Sequence, residues 1–204
     1  MSSVGLFRYF AIYKPYGYLS QFTDPSGKHK TLGMLHDFPK DAYPVGRLDK
    51  DSEGLLIITN DKDLNHRLLK PAHEHEREYW VVVENIPDEQ ALKKMEQGLT
   101  LRIEQKILET RPARAKLMDA PPGVPERHPP VRYRTQIPTA WLSLTLTEGK
   151  NRQVRRMTAA VGHPTLRLLR YRIEGITLPA MEIGAVREME RQEVYKKLFG
   201  KQGL

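Results

Sequence analysis

A chain of 204 residues that is 39% hydrophobic and 28% charged has ordinary globular composition and enough length to bury a core, which excludes a disordered or fibrous protein. The absence of cysteine removes disulfide frameworks, thiol nucleophiles and cysteine-held zinc, and the apolar runs are too short for a membrane-spanning helix. A formal net charge of +8 attracts polyanions, so nucleic acid is the first partner to consider.

In chain order, the opening MSSVGLFRYF lacks the basic-then-apolar layout of a secretory signal, and a cytoplasmic location is expected. Residues 7–13 (FRYFAIY) have the aromatic composition of a strand, stopped at Lys14-Pro15, and residues 16–27 read as loop. The continuously apolar run 54–59 (GLLIIT) is too short for a helix and predicts a central strand covered on both faces. Behind an acidic start, Leu64, Leu68 and Leu69 have helical spacing, so residues 61–69 form a short helix ending before Pro71. Residues 79–84 (YWVVVE) predict a strand with Tyr79, Val81 and Val83 on one face and Trp80 and Val82 on the other.

A helix capped by Asp88 follows to Gln97 and is closed by Gly98. Leu142, Leu144 and Leu146 alternate with Ser143, Thr145 and Thr147, the pattern of a half-buried strand, and Val154, Met157 and Val161 then recur with helical period. Strands and isolated helices without regular alternation indicate an α+β fold with a largely antiparallel sheet. Between Pro121 and Pro138 six prolines break the periodicity, and composition leaves that stretch open between a linker, an RNA-contacting loop and an inert insertion.

Seven basic residues lie between Glu148 and Arg172: Lys150, Arg152, Arg155, Arg156, Arg167, Arg170 and Arg172. With Val154, Met157 and Val161 on the core face, Arg152, Arg155 and Arg156 are expected at the surface or in a cleft. No Asp or Glu lies between Asn151 and Tyr171, so mutual repulsion is expected to be relieved by a polyanion rather than by acidic neighbours. A solvated basic face is the plainer alternative. A weaker basic stretch, including Arg111, Arg114, Lys116, Arg127, Arg132 and Arg134, would lengthen the track.

Asp49, Asp51 and Glu53 place three carboxylates within five residues just before the buried strand. The spacing imitates the opening of a calcium loop, yet the twelfth position is Asn60 where a bidentate glutamate is needed, and the strand occupies the rest of the loop. The His73-Glu74-His75-Glu76 run lacks zinc-protease spacing, since Arg77 stands where a histidine is needed, and it reads as a polar loop. Glu148-Gly149-Lys150 echoes a phosphate loop without the upstream glycine or a following Ser or Thr. Asp51 and Glu53 fit the roles of turn or cap residues, and composition alone would give Asp49 the same reading.

Gly46-Arg47-Leu48-Asp49, followed by Asp51 through Leu56 and by Thr59-Asn60, resembles the catalytic motif of pseudouridine synthases of the RsuA branch. The run from Glu148 to Met157 is similar to that branch's second signature, Leu168 to Arg170 with Gly175 to its continuation, and Lys14-Pro15-Tyr16-Gly17 to its first strand and loop. These matches cover residues 7–185 in the expected order. Gln21-Phe22-Thr23-Asp24, the run Ile137 to Leu142 and Pro164 to Arg167 resemble the RluE type, which modifies large-subunit (23S) ribosomal RNA.

The resemblance implies a pseudouridine synthase fold: a mixed, largely antiparallel sheet in two subdomains flanking a central catalytic cleft. It implies one catalytic domain over residues 1–204, without the separate N-terminal RNA-binding module of many relatives, acting as a monomer with no cofactor and no metal. Asp49 falls on the family's nucleophile, Tyr79 on the tyrosine that stacks on the target base, and Arg155 on the basic residue that pairs with the aspartate. Leu168 or Leu169 falls on the aliphatic contact to the base, and Arg47, Lys150, Asn151, Arg152, Gln153, Arg156 and Arg170 are the expected substrate-binding set. Arg77 stands where many relatives carry lysine. Two other functions compete: an RNA-binding protein without catalysis, and a glycosidase, for which a second positioned carboxylate is required.

Overall fold

The computed structural model describes residues 7–103, 106–178 and 182–200. The first half runs β1 (Tyr9–Lys14), β2 (Tyr18–Leu19), β3 (Lys30–Thr31), β4 (Tyr43–Pro44), β5 (Glu53–Thr59), α1 (Lys62–Leu69), β6 (Arg77–Glu84), α2 (Glu89–Gln97), β7 (Thr100–Ile103) and β8 (Lys106–Glu109). Then come β9 (Arg114–Met118), β10 (Thr139–Leu146), α3 (Gln153–Ala160), β11 (Thr165–Ile173), β12 (Ile176–Thr177), β13 (Val186–Met189) and α4 (Arg191–Phe199). This is an α+β fold in which β1 pairs antiparallel with β13 and β5, and β10 antiparallel with β6 and β9. Among the described residues no helix is long and apolar enough to cross a membrane.

The chain divides into two compact units, one running to His75 and resuming at Arg172, the other Glu76–Tyr171. In the first unit β1 lies between β13 and β5, and β4 adds to β5. All seven residues of β5 are buried, as a central strand requires. On one face of the β1/β5 pair, Tyr9, Ala11, Leu55 and Ile57 pack with Leu64 and Leu68 of α1 and Val194, Tyr195 and Leu198 of α4. On the other face Phe10 meets His36 and Phe38, with ring centroids 5.6 and 5.3 Å away.

Asp61 caps α1 by accepting from the backbone of Asp63 and Leu64, and it is fully buried. Gly175, in the turn between β11 and β12, allows that turn to touch α4: its N–H donates to Lys197 O at 2.9 Å, and a Cβ there would lie 2.7 Å from the same oxygen. The loop expected at residues 16–27 contains β2, which pairs with β3 in parallel through Tyr18 and Lys30. Two-residue bridges of this kind carry no periodicity for sequence to display.

In the second unit β10 pairs with β6 and β9, and β11 lies beside β6. β6 starts two residues ahead of the expected strand, and Trp80 stacks on Tyr171 of β11 with centroids 3.7 Å apart. The expectation that β10 is half buried is corrected, because Ser143 and Thr145 are buried together with the leucines. Ser143 bonds Glu78 Oε1 at 2.9 Å, which makes burial of its hydroxyl tolerable. Asp88 caps α2 through Ala91 N–H, and Gly98 leaves the helix at φ +89°. Val161 is the C-cap of α3 rather than a core position; Gln153 and Thr158 join Val154 and Met157 on the buried face. The proline-rich stretch joins the adjacent strands β9 and β10, so it is a long intra-unit connection and not a linker between units.

Candidate active site

In the first unit, the motif residues 46–54 form the approach to β5. Gly46 has φ +71° and a Cβ there would sit 3.2 Å from Leu69, so the turn into the motif favours glycine. Leu48 is buried, and both its backbone groups bond Ser20 Oγ, at 3.0 and 2.7 Å. Asp49 is half-buried, and its carbonyl accepts Ser52 N–H at 3.0 Å to close a turn. Lys14 is fully buried and donates to Ser52 O at 2.7 Å and Pro15 O at 3.0 Å, bracing that turn from beneath.

Gly17 N–H reaches Lys50 O at 2.8 Å, and Lys50 Nζ lies 2.9 Å from His29 Nδ1. The 16–31 region therefore straps the segment that carries Asp49. Arg47 and Lys50 are exposed. Glu53 is not a turn residue: it is the first residue of β5 and is buried, whereas Asp51 does lie in the turn. Ser20, His29 and Lys50 were not singled out from sequence. A lone serine and a lone histidine in a loop carry no pattern.

In the second unit, Tyr79 is buried on β6 and its hydroxyl hydrogen-bonds Arg170 of β11. Burial draws the Arg170 guanidinium below its ordinary value, and the Tyr79 contact opposes that shift. Leu168 lies two residues from Arg170 on the same strand and so shares its face, whereas Leu169 points to the opposite one. Arg155, half-buried on α3, donates to Thr165 O at 3.5 Å, and Arg156 bonds Asn151 Oδ1 at 2.9 Å. Arg152 and Asn151 are exposed, and Arg152 caps α3 from the left-handed region at φ +50°.

The basic run is divided between surface and interior. Arg167 and Arg170 are buried, and Arg167 Nη2 donates to Pro125 O at 3.0 Å. Lys150 is 3.0 Å from Glu148, so an acidic partner is present just ahead of the segment in which none was found by sequence. Gln153 is buried and bonds Glu148 at 2.6 Å. Arg152, Arg155 and Arg156 remain the members of the run on α3 or its cap with surface to offer.

A family profile described as RNA pseudouridylate synthase matches residues 8–160, which include Asp49, Tyr79 and Arg155. The chain belongs to the RNA pseudouridylate synthase family. A "Ribosomal large subunit pseudouridine synthase E" from Vibrio parahaemolyticus is 49% identical over 87% of this chain and 71% of its own length. A protein of the same name from Xanthomonas axonopodis pv. citri is 49% identical over 82% of this chain and 86% of its own. The solved structure described as "Crystal structure of pseudouridylate synthase" superposes with a TM-score of 0.77 at 27% identity, covering 97% of this chain and 76% of that one. The resemblance to the RluE type of the RsuA branch is thereby supported at the level of whole sequences, well beyond the short motifs.

Proposed function

We propose that this pseudouridine synthase isomerises a uridine in large-subunit (23S) ribosomal RNA, with Asp49 as the catalytic carboxylate. The observation that carries the substrate is the consistency of its relatives: four proteins 46% to 49% identical bear the same large-subunit synthase name. The bond from C1′ to N1 of uracil breaks, the base turns, and a bond from C1′ to C5 forms. The C5 proton departs and N1 gains one, so the product is an isomer and no oxidant or group donor is consumed.

Breaking the glycosidic bond develops positive charge on the ribose, and a fixed carboxylate such as Asp49 stabilises or traps it. Tyr79 supplies a platform for the extruded base, with its hydroxyl anchored on Arg170. Leu168, on the Arg170 face of β11, is the aliphatic contact to the base. Arg155 takes the part of the basic residue that the family carries alongside its catalytic aspartate. Arg47, Asn151, Arg152 and Arg156 meet phosphates, the enzyme works as a monomer, and the cytoplasm, where ribosomal RNA is modified, is its place of action.

The test is to incubate uridine-labelled large-subunit RNA with the wild-type chain and with Asp49→Asn, then quantify pseudouridine. Product from the wild type alone is expected. Equal product from both defeats the catalytic assignment, and binding without product from the wild type returns the chain to the RNA-binding class.

A further inference from the structure

The Glu148 carboxylate is 9% exposed at the side chain and collects three donors from three places. Oε1 accepts Arg111 N–H at 2.8 Å, from the connection between β8 and β9, and Gln153 Nε2 at 2.6 Å, from the first residue of α3. Oε2 lies 3.0 Å from Lys150 Nζ. Burial works against the charge, but these donors outweigh it and hold the carboxyl below its ordinary range. The group is an anion at neutral pH, and each bond to it is charge-assisted.

Its partners are tied to one another as well. Gln153 Oε1 accepts Lys150 N–H at 3.0 Å, Gln153 N–H donates to Lys150 O at 3.1 Å, and Lys150 Nζ also donates to Glu109 O. The turn they enclose holds Arg152 at φ +50°, a conformation that a residue with a Cβ resists by roughly 1 to 2 kcal/mol. The backbone of residues 148–153 is thus held in one shape by side chains, against local preference. Arg155 is the third residue of the helix that this turn launches.

We propose that Glu148 is a positioning residue for the reaction, one that sets the start of α3 and through it the place of the Arg155 guanidinium. Lys150 and Gln153 belong to the same clamp, spending their polar groups on the turn. This inference rests on the reading of Arg155 given above. A glutamine at position 148 keeps the shape but offers one neutral acceptor, and its NH2 opposes the Lys150 ammonium or, flipped, the Arg111 and Gln153 donors. Loosening by even an ångström is enough to cost catalysis a large factor.

The experiment measures kcat, KM and RNA affinity for the full chain carrying Glu148→Gln, Glu148→Asp, Gln153→Met, Arg155→Lys and Arg155→Ala, together with the Glu148→Gln/Arg155→Lys double variant, well below the melting temperature. Glu148→Gln is expected to lower kcat about 10- to 100-fold with RNA affinity within about 2-fold, and Glu148→Asp to recover part of the loss. In the double variant the two losses are not multiplied, because Glu148 acts through Arg155. Gln153→Met, which keeps volume and removes the amide, repeats the effect if Glu148→Gln does not fold. Unchanged kcat in both clamp variants, or losses that multiply with Arg155→Lys, overturn the proposal. A wild-type rate for Arg155→Ala, which removes the charge itself, defeats the reading of Arg155 instead, and this inference with it.

Discussion

The hydroxyl of Tyr195 donates to Asp61 Oδ2 at 2.6 Å, joining α4 to the cap of α1 across 134 residues of sequence. Tyr9 of β1 donates to the same oxygen at 2.8 Å, while Oδ1 takes the N–H groups of Asp63 and Leu64. One carboxylate therefore ties a strand and two helices together inside the core of the first unit. Asp61→Ala removes the helix cap and strands two buried hydroxyls, for an expected loss of about 3 to 5 kcal/mol. Tyr195→Phe deletes a single donor and should cost about 1 to 2 kcal/mol. Chemical denaturation of the three proteins at neutral pH checks the order, and a smaller loss for Asp61→Ala than for Tyr195→Phe contradicts it.

The same group fixes how stability depends on pH. Burial disfavours the charged Asp61, yet the bonds from Tyr195, Tyr9 and the helix N–H groups prevail and keep its carboxyl below the usual range. The unfolded chain then binds the proton more readily, so the contribution is complete above the ordinary carboxylate pKa and disappears as pH falls through the lower, folded one. At the other extreme, burial and the bonds to Asp61 raise the Tyr9 and Tyr195 hydroxyls. Their stabilisation is complete below the ordinary phenol pKa and is lost as pH rises through the folded values. Melting temperatures should thus fall at both ends, and Asp61→Asn should make both limbs shallower. Identical limbs in the variant would show that other groups carry them.

Gly175 stands with Leu168 to Arg170 in the run that resembles the continuation of the second signature, and its reason is close approach. A methyl group there would meet the carbonyl oxygen of Lys197 at 2.7 Å and its Cα at 3.3 Å, both backbone atoms that cannot swing aside. Gly175→Ala is expected to push α4 from the β11/β12 turn, lowering stability by about 1 to 3 kcal/mol. Gly149, with nothing within 4 Å of its would-be Cβ, is the matched control, and Gly149→Ala should leave the melting temperature nearly unchanged. Equal shifts from the two substitutions would rule out crowding as the reason for Gly175.

The elements that announced themselves in sequence were those with a local physical cause. The apolar run of β5, the helix α1 behind its acidic start, the Asp88 cap and the Gly98 stop all stand where spacing placed them, with Asp61 as the cap of α1 rather than its first residue. β2, β3 and β4 are two residues long and exist through pairing with segments a dozen or so residues away, so no short window of sequence contains their cause. α4 lies outside the expected elements, although Val194, Tyr195 and Leu198 have helical spacing. At the site, Asp49 and Tyr79 were found by resemblance, because a half-buried loop aspartate has no pattern of its own. Glu148 shows in sequence only as the first residue of the run that resembles the second signature; its bonds to Arg111 and Gln153 are ones that only folding brings together.

The contact between Tyr79 and Arg170 predicts a separation of binding from chemistry. Tyr79→Phe keeps the ring that would stack on the base and removes the hydroxyl bonded to Arg170. RNA affinity should be nearly unchanged, while kcat falls on the order of 10-fold because the ring is less firmly oriented. Tyr79→Ala, which removes the platform itself, should lose far more. A filter-binding titration and a single-turnover assay on the same RNA separate the two effects, and a full rate for Tyr79→Ala would remove the tyrosine from the mechanism.

Arg152 allows a test in which stability and function move in opposite directions. Its backbone is strained at φ +50°, and its side chain is exposed at the cap of α3. Glycine adopts that conformation without a Cβ clash, so Arg152→Gly should relieve strain and leave the fold as stable or slightly more so, the unfolded chain's added freedom offsetting part of the gain. The guanidinium is lost in the same step. If it meets a phosphate, RNA binding weakens and the slope of log affinity against log salt becomes shallower by about 1. Arg152→Lys should retain the salt slope and the strain together. An Arg152→Gly protein that melts no lower than wild type and binds RNA with an unaltered salt slope would assign the strained backbone to the turn's geometry alone and remove Arg152 from the RNA interface.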